Sequence, residues 1–302
     1  MSIPVRILFS VPRSGSTLFM SIMSNLPSVA VTSRTILMGN VYKTSVIENG
    51  AYTNESDNFA PDYSIYHTYP CGHPAIAMAE RRGVDCLITK EEVGNNCRKG
   101  SLRDNECTFQ LYPNEQALLS VRPIFTFRDP VACFSSWEKR GWEDLSSFVL
   151  AYKNVFATYQ TAKRLRPETI VYKFEDITDQ SGSAQAVFQA ICADWDLKYD
   201  PFMLQLDENF ADKLLFWHPR EERIYKHDNP KGIFTTLKSA KGIVKPKSQK
   251  AKLPKKQKEE LEKHLTPLYA SIDTSCFHKT VARVQHGPRR PNKGVEAACP
   301  AP

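Results

Sequence analysis

The chain has 302 residues, of which 41% are hydrophobic and 24% are charged, as is ordinary for a soluble globular protein with a sizeable core. This composition excludes a mainly disordered chain, a collagen and a disulfide-stabilised miniprotein. The net charge of +7 is uneven, because the part from Pro219 to the C terminus has 19 Lys and Arg against 8 Asp and Glu. A basic C-terminal third suggests an anionic partner, whereas a solvated lysine-rich face would give the same pattern.

Neither a membrane span nor a secretory leader is predicted. The longest early stretch without a charged residue covers residues 14–33, and it contains Asn25, Pro27 and several serines, which disfavour a membrane span. No basic region precedes an apolar run with a small-residue cleavage site. We therefore expect a cytoplasmic protein with no membrane partner.

Eight cysteines are spread along the chain. None forms a CxxC pair, and none lies near a histidine at the spacing of a zinc finger. In a reducing cytosol we expect free thiols, several of them in the core. The cysteine pattern therefore predicts no structural zinc site, and we expect no other metal.

Short apolar runs alternate with helical patterns along the chain. The predicted strands are Val5–Val11, Val29–Thr32, Val84–Thr89, Pro123–Phe127 and Thr169–Phe174. The predicted helices are Ser16–Asn25, Val131–Arg140, Leu145–Leu165, Ser183–Ala193 and Lys255–Tyr269. This alternation predicts an α/β fold, a P-loop-like parallel sheet with helices on both faces, which binds ligands at the carboxyl ends of its strands.

Other segments lack a clear period. Residues 34–73 are rich in Tyr, Asn, Ser and Pro and predict an irregular insertion or lid, which we place at about 34–80. Residues 208–252 are predicted to be irregular and basic, and residues 286–302 to be a disordered tail. We expect residues 1–285 to form a single domain.

The first predicted strand leads into residues 12–17 (PRSGST), a tight polar turn and a helix start. Unpaired N–H groups at a helix N-terminus bind phosphate, and Gly15 lets the backbone approach the anion. In the Walker A pattern GxxxxGK[ST], Ser10 would take the first glycine position and Ser16 the lysine position. The turn thus predicts a phosphate site without the Walker lysine, although an ordinary capped helix has the same start.

Three further motifs end later predicted strands. RDPVACFSS places Ser136 eight residues after Arg128, YKFEDI contains Phe174, and Lys90-Glu91-Glu92 follows the third strand. Together with PRSGST these motifs resemble the sulfotransferase superfamily, which uses 3′-phosphoadenosine-5′-phosphosulfate (PAPS) as donor. The resemblance covers roughly residues 5–204, extends weakly to 247, and looks closest to fungal sulfotransferase-like proteins.

The resemblance implies a sulfotransferase fold that binds PAPS and releases adenosine 3′,5′-bisphosphate. It implies that the 5′-phosphosulfate is held by Arg13, Ser14, Gly15, Ser16 and Thr17. The 3′-phosphate would be held by Arg128 and Ser136, with adenine against Phe174. Lys231 with Gly232, or alternatively Ser239, would close over the 3′-phosphate. Phe174 as a core aromatic and Ser136 as a buried helix serine are the ordinary alternatives.

The catalytic residues implied are Glu92, Lys90 and Arg13. Cytosolic sulfotransferases resemble one another in a Lys-x-His sequence at the end of the third strand, and Glu92 falls at the position of that histidine. A glutamate can act as a base if burial raises its pKa. Lys90 and Arg13 would offset charge at the transferring group. A solvated helix N-terminus would also favour these acids, and His67 and His73 are held in reserve as bases.

The function predicted is transfer of a sulfuryl group from PAPS to a hydroxyl or amine of a small-molecule acceptor, in secondary metabolism. The aromatic residues of the lid suit a partly apolar acceptor pocket; they are Tyr42, Tyr52, Phe59, Tyr63, Tyr66 and Tyr69. Two alternatives stay open: a P-loop kinase or NTPase, and a non-catalytic module that binds a nucleotide or nucleic acid. We do not expect nucleic acid as the partner.

Overall fold

The computed structural model describes residues 3–36, 47–48, 51–52, 61–66, 72–94, 107–178, 183–206, 213–218, 223–225, 243 and 253–275. Its strands are β1 (Val5–Ser10), β2 (Val29–Ser33), β3 (Ile47–Glu48), β4 (Ala51–Tyr52), β5 (Cys86–Glu92), β6 (Ile124–Phe127), β7 (Val171–Lys173), β8 (Leu214–His218) and β9 (Arg223–Tyr225).

Helices separate most of these strands. They are α1 (Ser16–Met23), α2 (Pro74–Arg81), α3 (Glu115–Ser120), α4 (Pro130–Glu138), α5 (Leu145–Leu165), α6 (Phe174–Thr178), α7 (Ser183–Asp194), α8 (Lys255–His264) and α9 (Thr266–Ala270), with a 3₁₀ turn at Pro201–Leu204. Within the described ranges, no helix is both long enough and apolar enough to cross a membrane.

The main sheet has the strand order β7-β6-β1-β5-β2-β8-β9. All neighbours pair in parallel except β8 and β9. β1 lies near the middle, with Ser10 opposite Glu92 on one side and Thr126 on the other. After β1 the chain forms β2 and β5 on one side of this strand and then β6 and β7 on the other side. The end of β1 is therefore a topological switch point, where such sheets bind ligands.

Helices cover both faces of this sheet, which confirms the predicted fold class. Alternate residues of β1 enter different cores: Ile7 and Phe9 join the cluster that contains α2, α4 and α5, and Leu8 joins the one that contains α1 and α7. Burial on both faces explains why Ile7, Leu8 and Phe9 form a continuous apolar run rather than alternating with polar residues.

The structure corrects the third predicted strand. β5 covers Cys86–Glu92 rather than Val84–Thr89, and all seven of its residues are buried. Lys90, Glu91 and Glu92 therefore belong to the strand, and the alternative of a solvated helix N-terminus for the two acids is wrong. Charged side chains after an apolar run are typical of the start of a loop. Their burial by neighbouring elements is not visible in the local sequence, so the sequence places the end of the strand too early.

Two strands lie in the segment that the sequence predicts to be irregular. Residues 208–252 contain β8 and β9, which extend the sheet. The predicted helix Lys255–Tyr269 is two helices that meet at Leu265, because Pro267 lacks the N–H that a continuous helix needs. Helices α2 and α3 were not predicted, although His73 and Asn114 cap them with side-chain acceptors.

Most of the predicted lid lies outside the described residues. Within it, β3 and β4 pair antiparallel. The predicted tail, residues 286–302, also lies outside the described residues.

Candidate functional site

The turn between β1 and α1 has an uncommon backbone conformation. Arg13 and Gly15 have positive φ angles of 73° and 94°, and the Ser14 N–H donates to the Val11 carbonyl at 3.3 Å. Gly15 is the N-cap of α1, and no side chain caps this helix. The N–H groups of its first turn therefore lie at the carboxyl edge of the sheet, where an anion can accept from them.

Helix α4 holds this turn from one side. The indole Nε1 of Trp137 donates to the Pro12 carbonyl at 2.7 Å, and the Cys133 thiol donates to the same oxygen at 3.5 Å. The Thr126 hydroxyl donates to the Ser14 carbonyl at 3.3 Å. Burial raises the pKa of the Cys133 thiol to about 11, so it is a hydrogen-bonding group at neutral pH rather than a nucleophile.

Two arginines bring the predicted phosphate motifs together. Arg13 Nε donates to Ser136 Oγ at 3.0 Å, and Arg128 Nη1 donates to the Arg13 carbonyl at 3.1 Å. Arg128 Nε is buried and has no hydrogen-bond partner among the described residues. A buried donor without an acceptor costs about 1–3 kcal/mol, and more when it is charged, so this position favours an anionic ligand.

The charge around Arg13 favours the same ligand. Burial lowers the pKa of Arg13, and the positive charges of Arg140 and Arg128 lower it further, although Glu92 acts in the opposite direction. Like charges close together disfavour the charged form. A bound anion would relieve this repulsion.

Phe174 lies between the turn and Arg128. The Arg128 guanidinium carbon is 4.7 Å from the centroid of the Phe174 ring, a cation–π distance. A Cβ atom added to Gly15 would overlap Phe174 Cδ2, so the ring covers the glycine directly. Phe174 therefore belongs to the same cluster, while its stacking on adenine stays a prediction.

Four predicted residues form a second cluster at this edge. Lys90 Nζ lies 3.0 Å from Glu92 Oε2 and donates to Thr17 Oγ1 at 3.2 Å. The Ser16 hydroxyl donates to Glu92 Oε1 through a short hydrogen bond. Glu92 thus lies at the carboxyl end of β5, beside the first turn of α1 and on the same edge as Gly15.

The pKa of Glu92 lies below its usual value of 4.5. Burial alone would raise this pKa, but the charge of Lys90, the Ser16 hydrogen bond and the charge of Arg34 together outweigh burial. The expectation that burial raises the pKa of Glu92 is therefore corrected. Glu92 is ionised at neutral pH, so it can accept a proton but is a weak base.

Glu91 faces the other side of the sheet, as alternation along a strand requires. Its Oε1 accepts from the Thr35 N–H at 2.8 Å, the Thr35 hydroxyl at 2.7 Å and the Thr89 hydroxyl at 2.9 Å, and its Oε2 accepts from the Ile36 N–H at 3.2 Å. Burial raises the pKa of Glu91 to about 7 in spite of these bonds. Glu91 therefore anchors the chain that leaves β2.

The reserve base His73 has a structural role. Its Nδ1 accepts from the Ala75 N–H at 3.1 Å, which caps α2. Burial lowers the pKa of His73 to about 4. His67, Lys231, Gly232 and Ser239 lie outside the described residues.

Two aromatic residues of the predicted lid are described, and both use their hydroxyls within the protein. Tyr66 is fully buried and donates to the Leu111 carbonyl at 2.6 Å, and Tyr63 donates to the Gln110 carbonyl. Tyr66 therefore packs the insertion onto the body. Tyr42, Phe59, Tyr69 and the side chain of Tyr52 fall outside the described part of the chain.

Several residues that hold the site were not singled out in the sequence. Cys133 and Trp137 are four residues apart on a predicted helix, a spacing that places them on one face, so a shared contact could have been predicted. Tyr152 donates to the Arg128 carbonyl at 3.2 Å, and Tyr269 donates to Glu175 Oε2 at 2.7 Å. No local pattern indicates these two long-range contacts.

The described residues contain no group of three or more His, Cys, Asp or Glu placed to hold a metal ion.

Comparisons with known proteins add little. No family model matches the chain, and no curated protein matches it. Among solved structures, it is similar to the mouse sulfotransferase SULT7A1 complexed with PAP, with a TM-score of 0.42 and 10% identity over 92% of this chain and 88% of that chain. A likeness this weak gives no ground for assigning an activity, and it gives no support for a fungal relationship.

We expect Gly15→Ala to lower the free energy of unfolding by about 2–4 kcal/mol, because it combines a positive φ with overlap against the Phe174 ring. Gly141 is the matched control, since it has a φ of 73° and open space around its Cβ position, so Gly141→Ala should cost only about 1 kcal/mol. Chemical denaturation of both variants measures the difference. Equal losses would contradict the close contact with Phe174.

We expect Glu91→Gln to remove part of the pH dependence of stability. Since the folded pKa of about 7 exceeds the usual 4.5, Glu91 costs nothing below pH 4.5 and destabilises the fold progressively as pH rises to 7, by about 3 kcal/mol in all. His73 acts oppositely, because its lowered pKa costs stability as pH falls below 6.5. The difference between variant and wild type in urea titrations at pH 4.5 and 7.5 isolates Glu91. A difference that is the same at both pH values would exclude this titration.

Proposed function

We propose that this chain is a PAPS-dependent sulfotransferase that transfers a sulfuryl group to a hydroxyl or amine of a small-molecule acceptor. One observation carries the proposal: Arg13 of the turn contacts Ser136, and Arg128 contacts the backbone of Arg13. A donor with phosphates at both its 5′ and 3′ positions needs two neighbouring anion sites. The turn with α1 supplies the first, and Arg128 with Ser136 supplies the second.

The residue types at these two sites suit phosphate. Arginine offers a planar fork of donors that can bind two oxygens of one phosphate, and Arg128 Nε still lacks a partner among the described residues. The first turn of α1 adds uncapped backbone donors. Lys231 with Gly232, or alternatively Ser239, would complete the 3′ site in the same proposal.

The turn does not favour a kinase or NTPase of the P-loop type. Ser16 takes the position of the Walker lysine, and its hydroxyl is committed to Glu92. Such enzymes use that lysine on the β- and γ-phosphates. Lys90 of β5 reaches the helix start instead, through Thr17.

In the proposed reaction the donor supplies a sulfuryl group, whose bond to the 5′-phosphate breaks as a bond to the acceptor oxygen or nitrogen forms. Glu92 accepts the proton that the acceptor loses. Lys90 and Arg13 offset negative charge at the transferring group and at the leaving phosphate. The charge of Lys90 and the Ser16 hydrogen bond help to hold the pKa of Glu92 below its ordinary value, so Glu92 is ionised at neutral pH and can take up this proton.

One observation favours a second candidate, a non-catalytic nucleotide-binding module. Both carboxylate oxygens of Glu92 are engaged, one by Ser16 and one by Lys90, which lowers its basicity. Such a module would bind the same nucleotide without transferring sulfate. The cytoplasmic location and the role in secondary metabolism stay predictions in either case.

We expect adenosine 3′,5′-bisphosphate to bind roughly 10- to 100-fold more tightly than adenosine 5′-monophosphate, because the added contacts to Arg128 are charge-assisted hydrogen bonds. Arg128→Ala should abolish this preference. Arg164→Ala is the matched control, since Arg164 forms an exposed ion pair with Glu115 and should leave the preference intact. Calorimetry with both nucleotides is the measurement, and equal affinities in the wild type would refute the donor site.

We expect Glu92→Gln to lower the rate of sulfate transfer by roughly 10²- to 10⁴-fold, the usual contribution of a general base, with little change in bisphosphate affinity. The exposed Glu80 supplies the control Glu80→Gln, which should keep the wild-type rate. Transfer of labelled sulfate from PAPS to a panel of phenols, alcohols and amines is the readout. Retention of most activity in Glu92→Gln would place the base elsewhere. Binding without transfer in the wild type would support the non-catalytic candidate.

A further inference from the structure

We propose that Tyr269 and Glu175 are positioning residues for Arg128, and that through Arg128 they set the preference of the site for a 3′-phosphate. This inference rests on the proposed function, because it takes Arg128 as the 3′-phosphate ligand. Neither Tyr269 nor Glu175 has a part in the proton transfer described above. Glu175 lies on α6 within the motif YKFEDI, whereas Tyr269 lies on α9, which none of the sequence motifs of the site includes.

A continuous series of contacts joins Tyr269 to Arg128. The Tyr269 hydroxyl donates to Glu175 Oε2 at 2.7 Å. The other carboxylate oxygen, Oε1, accepts from the N–H of Asp129 at 3.4 Å. Asp129 directly follows Arg128 and is the N-cap of α4, where its side chain accepts from the Ala132 N–H at 2.8 Å. Glu175 therefore links α9 to the backbone that carries Arg128.

Glu175 also helps to position the Phe174 ring, over which the Arg128 guanidinium lies. It follows Phe174 in the first turn of α6, and the Arg128 guanidinium lies over the Phe174 ring at 4.7 Å. A shift of α6 would move the ring and the guanidinium relative to each other. By tying the first turn of α6 to the start of α4, Glu175 fixes both partners of this cation–π contact.

Tyr269 is the stronger of the two partners of Glu175. Its bond of 2.7 Å is of ordinary length for O–H···O, whereas the bond from Asp129 at 3.4 Å is long. The ring of Tyr269 is held in turn by Lys173, whose Nζ lies 4.6 Å from the ring centroid. Without the Tyr269 hydroxyl, the carboxylate of Glu175 is left with the long bond from Asp129, and its hold on α4 weakens.

The guanidinium is sensitive to this support because few contacts of its own fix it. Besides the Phe174 ring, Arg128 donates to the Arg13 carbonyl at 3.1 Å, while its Nε has no hydrogen-bond partner in the described part of the chain. A ligand-binding side chain must be held by its neighbours within a fraction of an ångström to be effective. Tyr152, which donates to the Arg128 carbonyl, supports the same backbone from α5.

The test is Tyr269→Phe, which removes one hydroxyl and keeps the ring over Lys173. We expect the preference for adenosine 3′,5′-bisphosphate over adenosine 5′-monophosphate to fall roughly three- to tenfold, with little change in monophosphate affinity. Tyr199→Phe is the matched control, because the Tyr199 hydroxyl has no hydrogen-bond partner among the described residues. It should keep the wild-type preference.

A double-mutant cycle distinguishes positioning from a general loss of stability. If Tyr269 acts through Arg128, the preference of Tyr269→Phe/Arg128→Ala equals that of Arg128→Ala alone, because the two effects are not additive. A wild-type preference that Arg128→Ala abolishes and Tyr269→Phe leaves intact would overturn this inference alone. The inference would also be overturned if each variant lowered the affinity for both nucleotides and the two losses were additive in the double variant. Equal affinities of the wild type for the two nucleotides would overturn the proposed function and this inference together.

Discussion

The conformation of the turn after β1 is the constraint on which the site depends. Arg13 adopts a positive φ of 73° without being a glycine, a conformation that costs of order 1 kcal/mol or more and persists only where surrounding contacts determine it. Those contacts come from α4: Trp137 and Cys133 donate to the Pro12 carbonyl, and Ser136 accepts from the Arg13 side chain. Helix α4 thus stabilises a strained turn, and the strained turn brings an arginine and uncapped helix donors to one edge of the sheet.

Neighbouring acids of β5 have opposite environments because a strand alternates its side chains. Burial alone would raise the pKa of Glu92, but Lys90, the Ser16 hydroxyl and Arg34 together outweigh burial and lower it. Glu91 faces neutral donors, Thr35 and Thr89 among them, and burial raises its pKa to about 7. Pairs of acids whose environments separate their pKa values are characteristic of functional sites. Here Glu92 belongs to the candidate site, whereas Glu91 anchors the chain that follows β2.

The sequence predicts elements well where one local pattern is sufficient. The helix Leu145–Leu165 has the predicted bounds, since a long apolar period follows an Asp144 cap. The prediction is wrong where a neighbour decides the outcome. Residues 90–92 are strand because adjacent strands cover them, and β8 and β9 form in a basic segment that lacks a period. The site follows the same division: the turn and Arg128 have recognisable motifs, whereas Tyr269 reaches Glu175 across 94 residues, and no local pattern specifies such a contact.

The serine hydroxyls of the turn contribute less to anion binding than their number suggests. A hydroxyl has one proton, and Ser16 donates its proton to Glu92, so in this arrangement it can accept from a ligand but not donate to it. Ser14 is buried, and its oxygen lies 3.7 Å from the Cys133 sulfur. A phosphate at this turn would therefore be held by backbone N–H groups and by arginine rather than by serine side chains. If a ligand drew the Ser16 hydroxyl to itself, Glu92 would lose one of the interactions that lower its pKa and become a stronger base. In the proposed enzyme, a ligand contact to the Ser16 hydroxyl would therefore raise the basicity of Glu92 through this single hydrogen bond.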